Sequence, residues 1–193
     1  MLKAGVVALQ GDVREHARAL ESAGATPVEV RYADELAAVD VLVMPGGEST
    51  TIGKLLDRFD LLGPLKDRVA GGMPLYGTCA GLILMANRLV GRDDAPHRLG
   101  VMDVAVERNA YGRQVDSFET DLTIDGLERP FRAVFIRAPI IDDPGPGVDV
   151  LASHEGAPVL VRQGTLWGST FHPEMTGDNR VHAMFVDHAR QVI

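Results

Sequence analysis

Cysteine is nearly absent: Cys79 is the only one among 193 residues. One thiol allows no internal disulfide and no zinc site built on several thiolates. Positive charge is also short. Lysine and arginine number 19 against 27 aspartates and glutamates, a formal charge of −8. No basic cluster breaks that balance, and nucleic-acid binders carry a basic stripe, so that class is set aside. No apolar run comes near the ~18 residues of a membrane-spanning helix. The apolar stretch Ala4 to Leu9 is shorter than the ~7–15-residue core of a secretion signal, and no cleavage site follows it. With 21 glycines and 11 prolines the chain stays below the ~25–30% that marks low complexity. These absences leave a soluble, cytoplasmic chain, most simply one domain over residues 1–193 with a full core.

What is present alternates. "AGVVAL", Ala4 to Leu9, is an apolar run of strand length ending at Gly11. Asp12 and Glu15 then form a D-x-x-E helix start, with Val13, Ala17 and Leu20 on one face and Gly24 as the C-terminal stop. "TPVEVRY" and "VDVLVMPGG" are further strands, the latter apolar on both faces. A helical segment from about Thr50 to Val69 follows, with a break expected at Gly63-Pro64. "MPLYGT" is a fourth strand, and a helix begins after Cys79. Short, doubly apolar strands alternating with helices imply an α/β fold, a parallel sheet covered on both sides. The second half reads as successive strands with hairpin-like breaks, an antiparallel extension. "DDPGPG", Asp142 to Gly147, is a loop. Helical pattern returns only at the end, where Val181, Phe185, His188 and Val192 share a face.

Cys79 lies in "GTCAG", between Gly77 and Gly81, at a strand-to-helix junction. The spacing G-x-C-x-G is the thiol counterpart of the nucleophile elbow G-x-S-x-G. A nucleophile on such a turn projects out of the sheet, and glycines on either side relieve the crowding. The helix N-terminus that follows favours a thiolate and offers free N–H groups to an oxyanion, that of Ala80 among them. The competing reading is a small buried hydrophobe, the commonest fate of a free cysteine. A core cysteine has no need of paired glycines.

A thiol nucleophile needs a base. His16, His182 and His188 fall in helical patterns and read as surface or helix-flank residues, and His97 sits in a polar loop. His154 ends a strand. His172 closes the apolar strand "LWGSTFH" and is followed by Pro173 and Glu174, a carboxylate able to orient its imidazole. Strand-end placement puts it on the rim where open parallel sheets bind ligands, together with Cys79. "MPGGEST", Met44 to Thr50, adds glycines after a buried strand, which let a backbone amide approach a ligand. It is no phosphate loop: Gly47 and Gly53 lie six apart and Leu55 follows Lys54, so the Walker spacing fails on both counts.

"GTCAG" and "HPE" match the class I glutamine amidotransferases, and the chain resembles that family. More narrowly, "ALQGDVREH", "MPGGESTT", "YGTCAGLIL", "RNAYGRQVDSFE", "FIRAP" and "FHPE", in order from near residue 8 to residue 174, are similar to the glutaminase subunits of pyridoxal 5′-phosphate synthase. The resemblance implies a three-layer, flavodoxin-like α/β fold, mainly parallel with an antiparallel extension. It implies a Cys79–His172–Glu174 triad that hydrolyses L-glutamine, with Gly47 and Ala80 amides holding the oxyanion. By the same resemblance Gly47, Glu48, Ser49, Arg108, Ile136 and Arg137 contact glutamine. It implies no metal and no cofactor. It also implies a partner, the barrel-shaped synthase subunit that receives ammonia in a hetero-oligomer. Low activity without the partner is expected, with the Gly46-Gly47 peptide as the switch. Two other readings stay open: another thiol hydrolase on this fold, such as a γ-glutamyl hydrolase or peptidase, and a non-enzymatic module on a retained amidotransferase scaffold.

Overall fold

The computed structural model describes residues 1–91, 97–108 and 117–193. The first half alternates as its pattern requires: β1 (Lys3–Val7), α1 (Val13–Ser22), β2 (Thr26–Val30), α2 (Ala33–Ala37), β3 (Val41–Met44), α3 (Ser49–Arg58), α4 (Leu62–Ala70), β4 (Leu75–Thr78) and α5 (Ala80–Met85). Gly24 stops α1 as expected. It adopts φ +77°, its N–H donates to the Glu21 carbonyl and that of Ala25 to the Leu20 carbonyl, the paired bonds of a Schellman end. Asp12 is the N-cap residue but makes no side-chain capping bond.

The helical segment after β3 breaks earlier than expected. It divides at residues 59–61, where Asp60 takes φ 53°, and Pro64 lies inside the first turn of α4. A proline there costs no hydrogen bond, because first-turn N–H groups have no intrahelical acceptor.

The second half is β5 (Ala86–Leu89), β6 (Met102–Glu107), β7 (Phe118–Leu122), β8 (Phe131–Phe135), β9 (Ile140–Pro144), β10 (Asp149–His154), β11 (Ala157–Gln163), β12 (Leu166–Ser169) and α6 (Arg180–Val192). The expected loop Asp142 to Gly147 begins as the end of β9. The main sheet has the order β10-β11-β12-β4-β3-β1-β2. Its five strands from β12 to β2 are parallel, and β10 and β11 add antiparallel pairs at one edge. The antiparallel extension is therefore only partly in that sheet. β5, β6 and β9 form a second small sheet, and β7 with β8 a third.

β3 shows how the layers are built. Val41 and Val43 point to one face and Leu42 and Met44 to the other, the period-two alternation of a strand, and all four are buried. On the Leu42 side the core is completed by Leu36 of α2, Ile52 and Leu56 of α3, Leu65 of α4, Leu82 of α5 and the three-stranded sheet. On the Val43 side it is completed by Leu20 of α1, Val181, Phe185 and Val186 of α6, and Phe131 and Phe135 of β8. The buried face of α6 carries His182 and Ala189 as well, while Val192, expected on it, is exposed. No helix among the described residues is long and apolar enough to cross a membrane.

Candidate active site

β4 and β12 are parallel neighbours in register, Thr78 opposite Ser169. Their carboxyl ends lie side by side, so the segments that follow, Cys79 after one and Thr170 to His172 after the other, emerge on one rim. The Cys79 N–H donates to the Ser169 carbonyl at 2.8 Å, tying the two exits together. Cys79 itself takes φ 47°, ψ −100°. A non-glycine residue there is strained, by about 1–3 kcal/mol, and persists only where its surroundings hold it. The flanking glycines are those surroundings. A Cβ on Gly81 would run into the Met44 carbonyl oxygen, and one on Gly77 into the Met85 sulfur and the Gly81 backbone. The elbow is pressed against β3 with no room for a side chain on either side.

Cys79, His172, Gly47, Glu48, Ser49, Arg108, Ile136 and Arg137 line one cavity of about 320 Å³. That volume lies at the small end of ligand sites. Ala80, buried behind Cys79, begins α5, so its N–H has no intrahelical acceptor. The Cys79 sulfur lies 4.0 Å from the Ile136 carbonyl oxygen, and Arg137 beside it takes φ 45°, a second strained residue at the site. At the mouth, Arg108 reaches Glu48 at 3.4 Å and the Thr50 hydroxyl at 3.2 Å. Glu48 caps α3, accepting from the Thr50 and Thr51 N–H groups at 3.1 and 2.7 Å. Partial burial pushes its carboxyl up, but the bonds from Thr51 and Thr50 outweigh it and hold it below the usual range. A carboxylate and a guanidinium side by side suit the two charged ends of an amino acid. Residues 109–116 of "RNAYGRQVDSFE" lie outside the described residues.

His172 and Glu174 are joined by a 2.7 Å contact between Nδ1 and Oε1, both side chains almost fully buried. The short turn Pro173–Met175 folds the carboxylate back onto the ring. Burial alone would push His172 down. Hydrogen bonding to the Cys79 sulfur and the Glu174 carboxylate, with electrostatic attraction to both, outweighs it and raises His172 to about 10. Burial pushes Glu174 up against the pull of His172. The proton between them belongs to the imidazole, which has acceptors on both sides. His154 is elsewhere, tilted against Phe118 and Phe135 with ring centroids 5.5 and 5.8 Å away.

Three groups at the site have no place in the sequence reading as site residues. Gln10, just beyond β1, accepts the Glu48 N–H at 2.9 Å and so holds the loop after the Gly46-Gly47 pair. Asp12 lies 3.9 Å from His172 Nδ1. Both lie past the carboxyl end of a central parallel strand, the signal that could have found them. The third group, a pair of histidines, departs from expectation. His16 and His182, read as surface or helix-flank residues, are completely buried, with His16 Nδ1 and His182 Nε2 2.9 Å apart. Helical periodicity marks the faces of α1 and α6 but not which polar residue finds a buried partner. Asp12, His172 and Glu174 offer donor atoms within 4.8 Å of one another. The imidazole nitrogen among them is already engaged by Glu174, which makes the cluster a hydrogen-bonded charge arrangement rather than a metal centre.

The shifts carry a pH dependence. His172 binds its proton more tightly folded than unfolded, so its contribution to stability is complete below about 6.5 and is lost as pH rises through about 10. Burial depresses His182 to about 4, and its contribution is complete above about 6.5 and lost as pH falls through about 4. The difference in urea-unfolding free energy between the native chain and His172→Asn should therefore shrink steadily from about pH 7 to 10. A constant difference would mean that His172 carries no extra proton.

Known proteins resemble this chain over nearly its whole length. The pyridoxal 5′-phosphate synthase subunit PdxT of Frankia alni is 59% identical over 188 residues, covering 96% of this chain and 94% of that protein. PdxT of Bacillus licheniformis is 50% identical over the full length of both. A crystal structure of a glutamine amidotransferase, 50% identical, superposes with a TM-score of 0.91 over 97% of this chain and 98% of its own. The three-layer class I amidotransferase architecture is thus the one this chain adopts. The model of the SNO glutamine amidotransferase family matches residues 6–191, and the chain belongs to that family.

Proposed function

We propose that residues 1–193 act as one cytoplasmic glutaminase domain that hydrolyses L-glutamine to L-glutamate and ammonia, and that the ammonia feeds a synthase subunit making pyridoxal 5′-phosphate. The observation that carries this reading is the shared cavity: a sulfur on a strained elbow, an imidazole bonded to a buried carboxylate, and a charged mouth sized for an amino acid. Family membership and the names of the relatives supply the substrate and the destination of the product.

The chemistry follows from the positions. The Cys79 sulfur attacks the side-chain carbonyl carbon of glutamine, and the oxyanion that forms is met by the Ala80 N–H and by an amide of Gly47. His172, protonated and steadied by Glu174, gives its proton to the leaving nitrogen, so ammonia departs and a γ-glutamyl thioester remains. The now neutral imidazole takes a proton from water, the hydroxide displaces the sulfur, and glutamate is released. Ser49, Ile136 and Arg137 hold the substrate, with Glu48 and Arg108 at its charged ends. No metal or cofactor enters a step.

The switch is the diglycine. Gly47 has φ +142°, open to a glycine, and the following N–H is held by Gln10. A flip of the peptide at Gly46-Gly47 brings a donor into or out of the oxyanion position, and docking of the synthase selects the competent form. Removing one such donor costs about 10²–10³ in rate. Glutamate release by the purified chain should rise about a hundredfold when the synthase subunit is added. Equal rates with and without it would refute the gating, and no release in either case would refute the glutaminase.

A further inference from the structure

Against the buried carboxylate of Glu174 lies a second row of polar groups that the reaction above does not use. Glu174 bonds His172 through Oε1, and its other oxygen, Oε2, is buried with no hydrogen bond of standard geometry among the described residues. His16 Nε2 lies 3.5 Å from it and also sits 3.2 Å from the Thr78 hydroxyl. His16 Nδ1 meets His182 Nε2 at 2.9 Å, and the far nitrogen of His182, Nδ1, is buried without a partner among the described residues. Three elements, α1, α6 and the turn after β12, thus place two imidazoles in line with the carboxylate.

We propose that His16 is a positioning residue for the triad: its neutral Nε2–H points a hydrogen bond at Glu174 Oε2, and His182 sets it in that tautomer.

The proton positions follow from elimination. If His16 carried its proton on Nδ1, His182 Nε2 would be the acceptor and His182 Nδ1 would hold a buried N–H with nothing to receive it. Orphaned buried donors are rare and costly, whereas a buried bare lone pair is tolerated more easily. The same tautomer would also aim the bare Nε2 of His16 at a carboxylate oxygen. The alternative removes both faults: His182 Nε2–H donates to His16 Nδ1, and His16 Nε2–H faces Glu174 Oε2, shared with Thr78. Neither ring is charged. Burial, then the nearby His182 and His172, press His16 well below its ordinary value, and burial does the same to His182. A neutral donor supports the carboxylate without competing with His172 for its charge.

The groups around the carboxylate are His172 and the backbone N–H on its own segment, His16 of α1, Asp12 just before that helix and Tyr76 of β4, with Thr78 and His182 against His16. Tyr76 donates to the Ser169 hydroxyl at 3.0 Å and, buried, stays neutral. Asp12 repels negative charge on Glu174. Among the described residues, His16 is the side-chain N–H group that stands beside Oε2. Without it the carboxylate takes up a proton at higher pH and loses its grip on the His172 ring.

This rests on the triad reading, and the test separates the two. Cys79 is the only thiol, so iodoacetamide labelling followed by mass reads its pairing with His172 directly. In His16→Leu the acidic limb of the labelling profile should move up by about one pH unit, and kcat/KM for glutamine, assayed with the synthase, should fall about tenfold with KM little changed. His16→Gln, whose amide N–H reaches the Nε2 position, should recover both. A folded His16→Leu with the native profile, or one whose shift His16→Gln shares, overturns the proposal. His172→Asn is the reference: if it keeps the native labelling profile the triad reading itself is wrong, and if it loses that profile while His16→Leu does not shift, only the present inference falls. Should His16→Leu not fold, ¹⁵N–¹H spectra of histidine-labelled native protein decide. Protons on Nε2 of both His16 and His182 support the proposal. A proton on Nδ1 of either ring, or a charged His16 at neutral pH, overturns it.

Discussion

Cys79→Ala should fold, bind glutamine and release no measurable ammonia, a loss of about 10⁴-fold or more. Folding is expected to survive because alanine keeps the Cβ that the elbow already accommodates and the same left-handed φ, so the strain at residue 79 is unchanged. The Ser169 carbonyl still receives the residue 79 N–H, a backbone bond the substitution does not touch. What disappears is the proposed nucleophile, and among the described residues lining the cavity there is no second thiol; Ser49 sits in the first turn of α3. Steady-state glutamate formation with the synthase present measures the loss, and circular dichroism verifies the fold. Turnover within tenfold of the native rate would remove covalent catalysis from the account.

His172→Asn is the second large effect, with a loss of about 10³–10⁴-fold expected by comparison with other nucleophile–histidine pairs. Asparagine can still accept or donate toward Glu174 but cannot carry a proton from sulfur to the leaving nitrogen. The contrasting variant is His154→Asn. That ring packs tilted against Phe118 and Phe135 and does not line the cavity, so its removal should cost about 1 kcal/mol of stability and leave kcat/KM within about twofold. Because nucleophile and base act as a unit, the double variant Cys79→Ala/His172→Asn should be no slower than either single one. Comparable losses from His154→Asn and His172→Asn would mean that the wrong histidine has been assigned.

Much of this site was legible in the chain because its signals are local. The strand-then-glycine pattern around Cys79 states a turn, and the glycines turn out to be required by contact with Met44 and Met85 rather than by their own dihedral angles. "HPE" places a carboxylate two residues from an imidazole, and the turn Pro173–Met175 closes that gap. The start of α3 was placed late because Glu48, an uncommon cap, takes the position usually held by serine or aspartate. What could not be read depends on pairing across distance. Which strands of the second half join the main sheet is decided by partners far along the chain, and period-two patterning is the same in all three sheets. His16 and His182 lie on helices whose hydrophobic stripe would ordinarily exclude them. Only their meeting with each other and with Glu174 makes their burial affordable, and that meeting joins residues from opposite ends of the sequence.

The insertion of β12 beside β4 also orders events during synthesis. When the ribosome releases the segment carrying the thiol, the strand that will seat against it is still unmade, and so are the imidazole and the carboxylate beyond that strand. Pairings this far apart in the chain form late. On the proposed triad, a nascent or truncated product carries a sulfur with no acid–base partner, and glutamine would be spared until nearly the whole polypeptide has emerged and closed on itself.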